Sequence, residues 1–410
     1  GYPVGLTALI EVQTTAGVWE VGDGLVSSNR PYASHAWSAP GDYAVVLRAY
    51  NESQPAGISS TVTVHVVEQP VHHVAADSVN PVAPYSSWAT AATNIQDAVD
   101  AATLPGSLVL VTNGVYQTGG AVAPGARGTT NRVLVTKALA VQSVNGPDVT
   151  VIRGYQVPGT TNGPAAIRCA YLDNGASLSG FTLTNGATVT DVNGHVGGAV
   201  VGGTLNNCVL TGNAASFGGG AYFTTLSNCT LSGNSADYGG GALGGTLYNC
   251  TITGNSAAAY GGGAYGATLK NCTLTGNSAG TNGGGAYAST LNNCLVYFNQ
   301  APAGANYTDS TFNYSCTTPQ PVGGSRNISA DPRLASATYL SASSPCRGAG
   351  STTYATGTDI DGEAWANPPS IGCDEYYAAA ITGALTVGIS APFTLLPAGY
   401  PVGFTALIAG

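Results

Sequence analysis

Short runs of alternating apolar and polar residues, broken by Gly, Asn, Ser and Pro, dominate the chain and predict an all-β protein. In the first 68 residues such runs include Tyr43-Ala-Val-Val-Leu47 and Thr61-Val-Thr-Val-His-Val66. One stretch departs to helical spacing. Asn94, a capping residue, precedes Ile95-Gln-Asp-Ala-Val-Asp-Ala-Ala102. β-Branched runs follow at Ser107–Thr112, Arg132–Thr136, Leu139–Val144 and Val149–Ile152. A short helix ahead of stacked strands suits the open end of a solenoid, where it hides the first backbone edge from water.

The strongest pattern is a repeat. Asn-Cys recurs at Cys208, Cys229, Cys250, Cys272 and Cys294, in steps of 21 or 22 residues. Asn213, Asn234, Asn255, Asn277 and Asn299 each follow a cysteine by five, and Gly-Gly-Gly recurs at 218–220, 239–241, 261–263 and 283–285. So short a unit has no room for a helix pair. It fits one triangular turn of three strands, stacked on the next at about 4.8 Å. The expected fold is a right-handed parallel β-helix, a three-sided solenoid with 21–22 residues per rung. Parity puts Cys208 and Leu210 inside, with Tyr222 and Leu226, Leu243 and Leu247, and Tyr265 and Leu269 in further inward columns. The expected segments are 1–68, a β-sandwich lacking its first strand; 69–330, the β-helix with its helical cap; 331–380, a C-terminal cap; and 381–410, the start of another sandwich.

Composition narrows the function. Only 8% of residues are charged, against roughly 25% in an ordinary domain. A net charge of −9 without a basic stripe excludes nucleic acid as a partner, and no long apolar run predicts membrane insertion. The lack of methionine and of a signal peptide is read as the mark of a processed or excised piece.

Two resemblances sharpen this picture. Val18-Trp-Glu-Val-Gly-Asp-Gly24 followed by His35-Ala-Trp-Ser-Ala-Pro-Gly-Asp-Tyr43 resembles the PKD family of immunoglobulin-like sandwiches, with Glu20 and Val21 in place of Asp-Phe and Trp37 in place of Tyr. The rungs, with Gly219-Gly-Ala-Tyr222 and Leu210-Thr-Gly-Asn213, are similar to polymorphic outer-membrane protein repeats, with Leu in place of Phe. Ser87-Trp88-Ala89, Ile95 to Ala102 and the motifs from Asp331 to Glu375 resemble a broad group of bacterial secreted β-helix proteins. That resemblance implies an extracellular or cell-surface location and a fold, but little about chemistry.

Candidate chemistry is sparse. From Val201 to Gln300 the only charged side chains are Asp237 and Lys270, so a polysaccharide lyase groove is not expected on this stretch and the chain is read as a non-enzyme. Arg132, Lys137, Asp148, Arg153 and Arg168 are the remaining place for a site. The cysteine column is read as buried free thiols, and Cys250→Ser is expected to cost roughly 1–3 kcal/mol. Cys346 and Cys373 are candidates for a disulfide staple. The Asn column is read as an internal amide ladder. No cofactor is expected. Asp359-Ile-Asp-Gly362 resembles the start of a Ca²⁺ loop but reads as a capping turn, and His72-His73 as a solvated linker pair.

One feature bears on assembly. Residues 399–408 repeat residues 1–10, differing only at Leu6 and Phe404, which implies a unit of 398 residues. The expected function is an extracellular repeat unit joined head-to-tail to copies of itself in a filament or stalk, with adhesion as a use. The alternative is a cell-surface protein that binds extracellular glycans. Leu385, Val387, Ile389, Tyr400, Val402, Phe404 and Leu407 are the candidate assembly residues, on strands that complete the next sandwich.

Overall fold

The computed structural model describes residues 3–10, 14–30, 32–123, 128–190, 195–378, 386–390 and 405–409, the last two as backbone. Residues 4–66 make two small antiparallel sheets. Val4–Thr7 pairs with Tyr32–His35, and a second sheet runs in the order Val26–Ser28, Ala16–Glu20, Gly41–Asn51, Gln54–Val66. Trp19, Val21, Trp37 and Val45 form their shared core, with Val4, Leu6 and Ala33 packed against it. The Trp37 indole N–H donates to the Val21 carbonyl at 2.9 Å, so the buried ring has its partner.

From Val71 the chain winds into a parallel β-helix. Three sheets of 9, 10 and 9 strands run its length. Registered pairing stacks like on like. One wall carries Leu178, Leu205, Leu226, Leu247, Leu269, Leu291 and Phe312 inward. The next carries Leu183, Leu210, Leu231, Ile252, Leu274 and Val296. Asn207, Asn228, Asn249, Asn271 and Asn293 turn the corner between these walls with φ of +48° to +54°, a conformation asparagine tolerates better than most residues.

The third wall corrects the parity expected of Tyr222, Leu243 and Tyr265. Here Ala221, Ala242, Ala264 and Ala286 point inward and are buried, while those three side chains lie on the outer face, half-buried. Alternation does not survive the corner that follows, where Phe223 and Gly244 take positive φ. Space decides which residue faces in. A Cβ on Gly220 would lie 2.5 Å from the Gly241 carbonyl oxygen of the next coil, so this corner is held too tight for a ring.

Helix Ile95–Ala101 closes the first coil. The Asn94 side chain accepts from the Asp97 N–H at 3.0 Å, and Ile95, Ala98 and Val99 are buried. The Gln96 amide exchanges two hydrogen bonds with the backbone of Leu134, pairing a strand that would otherwise be open to water. At the far end, the segment from Ile328 onward runs back along the outside of the coil. Asn249, Asn271 and Asn293 donate to the carbonyls of Thr358, Tyr354 and Ser351, and Thr275 donates to that of Ala337.

Candidate functional site

The buried thiol and amide columns are framework. Cys208, Cys229, Cys250, Cys272 and Cys294 are free and buried, and their thiols donate to main-chain carbonyls, as Cys229 does to Ser227 at 3.2 Å. Burial pushes the thiols of Cys208, Cys229, Cys250 and Cys272 well up. Five residues along each coil, Asn213, Asn234, Asn255, Asn277 and Asn299 are hydrogen-bonded amide to amide at 2.9–3.0 Å. Asn213 also receives the Gly186 main-chain N–H, and each of the other four that of the asparagine before it.

Three of the polar groups singled out as a remaining site, Arg132, Lys137 and Arg168, are engaged chiefly by main-chain carbonyls. Arg168 is buried and donates to the Asn131 side chain at 2.6 Å and to the carbonyls of Gly197 and Val196 at 2.8 Å; burial lowers its pKa to about 10. Arg132 donates to the carbonyls of Arg153 and Gly119, and Lys137 to those of Val99 and Ala102 at the helix end. His72 and His73 lie on strand Val71–Val74, not in a linker. His72 is buried against the Pro84 carbonyl, and the His73 ring meets Trp88 edge-on at 4.4 Å.

The acidic groups of the outer segment cluster. Asp359 is fully buried and accepts main-chain N–H bonds from Asp361, Glu363 and Glu375. Asp374 accepts from the Leu340 N–H, and burial, with Asp359, Asp361 and Glu363 nearby, pushes its carboxyl up to about 7. Among the described residues no three His, Cys, Asp or Glu side chains form a metal-ligating group.

Two surfaces remain. The first is an aromatic ridge where the outside of the third wall meets a small parallel sheet of Ser235–Tyr238, Ser256–Tyr260 and Ser278–Ala279. Phe217 stacks on Tyr238 at 5.3 Å, Tyr260 on Tyr287 at 4.9 Å and Tyr265 on Tyr287 at 5.2 Å, while Tyr222 meets the 60% exposed Phe223 edge-on. Sequence reasoning missed this ridge because it assigned Tyr222 and Tyr265 to the interior and gave the other rings no place. The second is the strand pair near the C-terminus. Thr386–Ser390 and Thr405–Ala409 are antiparallel, with Val387 opposite Ile408 and Gly388 opposite Leu407. Ile389 lies on the same strand, and Leu385, Tyr400, Val402 and Phe404 lie outside the described residues. By the terminal repeat, Leu407 and Ile408 correspond to Leu9 and Ile10. There the backbone of Ala8 to Ile10 belongs to no strand, and Leu9 and Ile10 are 91% and 39% exposed.

No family model matches the chain, and no curated protein does. A solved structure, that of the pectate lyase Pel9A, aligns with 75% of this chain and 96% of its own at 15% identity, with a TM-score of 0.42. The expectation that the chain is not an enzyme is corrected by this match. The aligned protein is an enzyme, and the charge-poor stretch from Val201 to Gln300 on which that expectation rested is only part of the molecule. No helix among the described residues is long and apolar enough to cross a membrane.

Proposed function

We propose that the chain is an extracellular structural unit that joins copies of itself head-to-tail into a filament or stalk. The observation that carries this reading is the unequal state of the two terminal repeats. The copy at residues 405–408 has an antiparallel partner strand, whereas the equivalent Thr7 to Ile10 has an exposed Leu9 and a strand only as far as Thr7. A segment equivalent to Thr386–Ser390, from a preceding unit, supplies the missing partner. It is either covalently continuous or donated by a separate chain. On this reading residues 1–68 are a PKD-like sandwich completed from the preceding unit, 69–330 are a right-handed solenoid serving as spacer, 331–380 are its cap, and 381–410 lead into the following sandwich. The contact is heterologous and therefore propagates.

The test uses the full chain. Electron microscopy and light scattering should show linear assemblies, shortened by excess peptide spanning residues 384–410. Leu9→Asp, which puts a charge on the accepting strand, should give the same loss. Assemblies of unchanged spacing in both experiments would reject the reading. Intact mass under denaturing conditions distinguishes donated from covalent linkage.

A second reading, glycan binding, draws on the aromatic ridge, whose rings and hydroxyls suit an uncharged polysaccharide on a wall with almost no charge. Retention on a glycan array that disappears in Tyr260→Ala and Tyr287→Ala would favour it. Retention unchanged in both variants would remove it.

A further inference from the structure

One of the nine cysteines, Cys316, follows the ladder but sits one residue out of step with it. A step of 21 residues from Cys294 falls on Ser315, and the strand register agrees, pairing Leu291 with Phe312 and Asn292 with Asn313. Ser315 takes over the ladder's bonds. Its hydroxyl faces the carbonyls of Asn313 at 2.9 Å and Leu291 at 3.4 Å, as the Cys229 thiol faces those of Ser227 and Leu205. Cys316 therefore has the opposite parity. It pairs in register with Leu295, and both side chains leave the solenoid core for a second buried cluster with Leu340, Cys346 and Ile371. Leu340, Cys346 and Ile371 belong to the segment that lies along the outside of the coil. There Cys316 and Cys346 lie together in one buried cluster, the Cys316 thiol donating to the Ala330 carbonyl at 3.4 Å.

We infer that Cys316 and Cys346 are the site of a disulfide that staples this outer segment to the last coil. The inference is independent of head-to-tail assembly. The expected staple between Cys346 and Cys373 is replaced, because Cys373 faces elsewhere: its thiol meets the Thr251 hydroxyl at 3.4 Å and it is not in the cluster that holds Cys346. The ladder thiols are not equivalent candidates. They point the same way from equivalent corner positions of successive coils, whereas a disulfide needs converging Cβ vectors and a dihedral near 90°. Cys316 and Cys346 approach from two different layers.

The step is an exchange with a small-molecule or protein disulfide. One thiolate attacks the oxidant's sulfur, releasing one thiol, and the second thiolate displaces the other. Two protein thiols become one disulfide, and the oxidant leaves as two thiols. Both cysteines are fully buried, and the neighbouring Cys346 thiol together with burial pushes the Cys316 thiol well up. Oxidation therefore belongs to folding, before the outer segment closes over the coil, and the closed protein resists both oxidation and reduction.

The full chain, denatured and reduced, is refolded in a mixture of glutathione and glutathione disulfide, alkylated under denaturant, and digested without reduction. Mass spectrometry should find one cross-linked peptide pair, joining Cys316 to Cys346 with the loss of two hydrogen atoms. The other seven cysteines of the nine should be alkylated. Cleavage of the outer segment by added protease should rise by about tenfold or more when the bridge is reduced under denaturant and removed before refolding. Cys316 and Cys346 both recovered alkylated or glutathionylated, or Cys346 joined to Cys373, would overturn the inference. The wild-type chain decides the matter, so no variant has to fold.

Discussion

Ser315 shows what the thiol ladder tolerates. It occupies the interior with a hydroxyl because two carbonyls receive its proton, and the same pair of acceptors exists at Cys208, Cys229, Cys250 and Cys272. The expected cost of roughly 1–3 kcal/mol for Cys250→Ser assumed an unpaired hydroxyl and is too high. Cys250→Ser should cost about 1 kcal/mol or less, and Cys250→Ala more, roughly 1–2 kcal/mol, since it loses both the bond and the sulfur's volume. Denaturant titration of both variants checks the order; Ala milder than Ser would contradict it. Asp374 is the second informative residue. A carboxyl raised on folding stabilises the folded state while protonated. That contribution is fully present below the ordinary value of 3.8 and is lost as pH rises through about 7. Between about pH 4 and about pH 8 the outer segment should lose roughly 1–3 kcal/mol against local opening. Asp374→Asn keeps an acceptor for the Leu340 N–H and should flatten the dependence, read as protease sensitivity across pH.

At the scale of elements, the Asn column holds the corners. Asn255 accepts from the Asn234 main-chain N–H and amide, and donates to the Leu231 carbonyl and to Asn277. Asn255→Ala strands several buried partners at once and should cost roughly 2–5 kcal/mol. Asn255→Asp keeps the acceptor while placing a charge in the column, and should not rescue. Thermal melting distinguishes the two from Thr253→Ala, a half-exposed neighbour expected to be near neutral. These walls were legible in the sequence because each inward Leu and each corner Asn recurs at the coil period. The helix was legible through Asn94 and its apolar spacing. The Ala wall was not, because alternation restarts at every corner, and whether Ala221 or Tyr222 faces inward depends on the approach of Gly220 to the next coil. The side-by-side lie of the outer segment left no signal either. Its contacts, such as Asn249 to Thr358, join residues that share no period.

For the whole molecule, the outer segment changes how the coils depend on one another. A solenoid has only nearest-neighbour contacts, so its coils open one at a time from an exposed end. Here the coils carrying Asn249, Asn271 and Asn293 are also bonded sideways to one continuous stretch of chain, and Cys373 adds contacts to Thr251 and Thr273. Hydrogen exchange should therefore divide the β-helix. Amides of the coils from Thr246 onward should exchange together and slowly, while those around Val200 to Leu210 should exchange sooner. Uniform protection along the coil would contradict this.

The same sideways bonding has a mechanical meaning. A rod pulled from its two ends ordinarily unravels link by link, each link giving way at nearly the same load. The stretch that crosses the later coils binds them in parallel, so they share the load and must yield together, whereas the earlier coils remain in series. A single unit under tension would then extend in two stages. The early coils would pay out first as a soft reserve of length, and the bound coils would hold as a stiff remnant until a distinctly higher force.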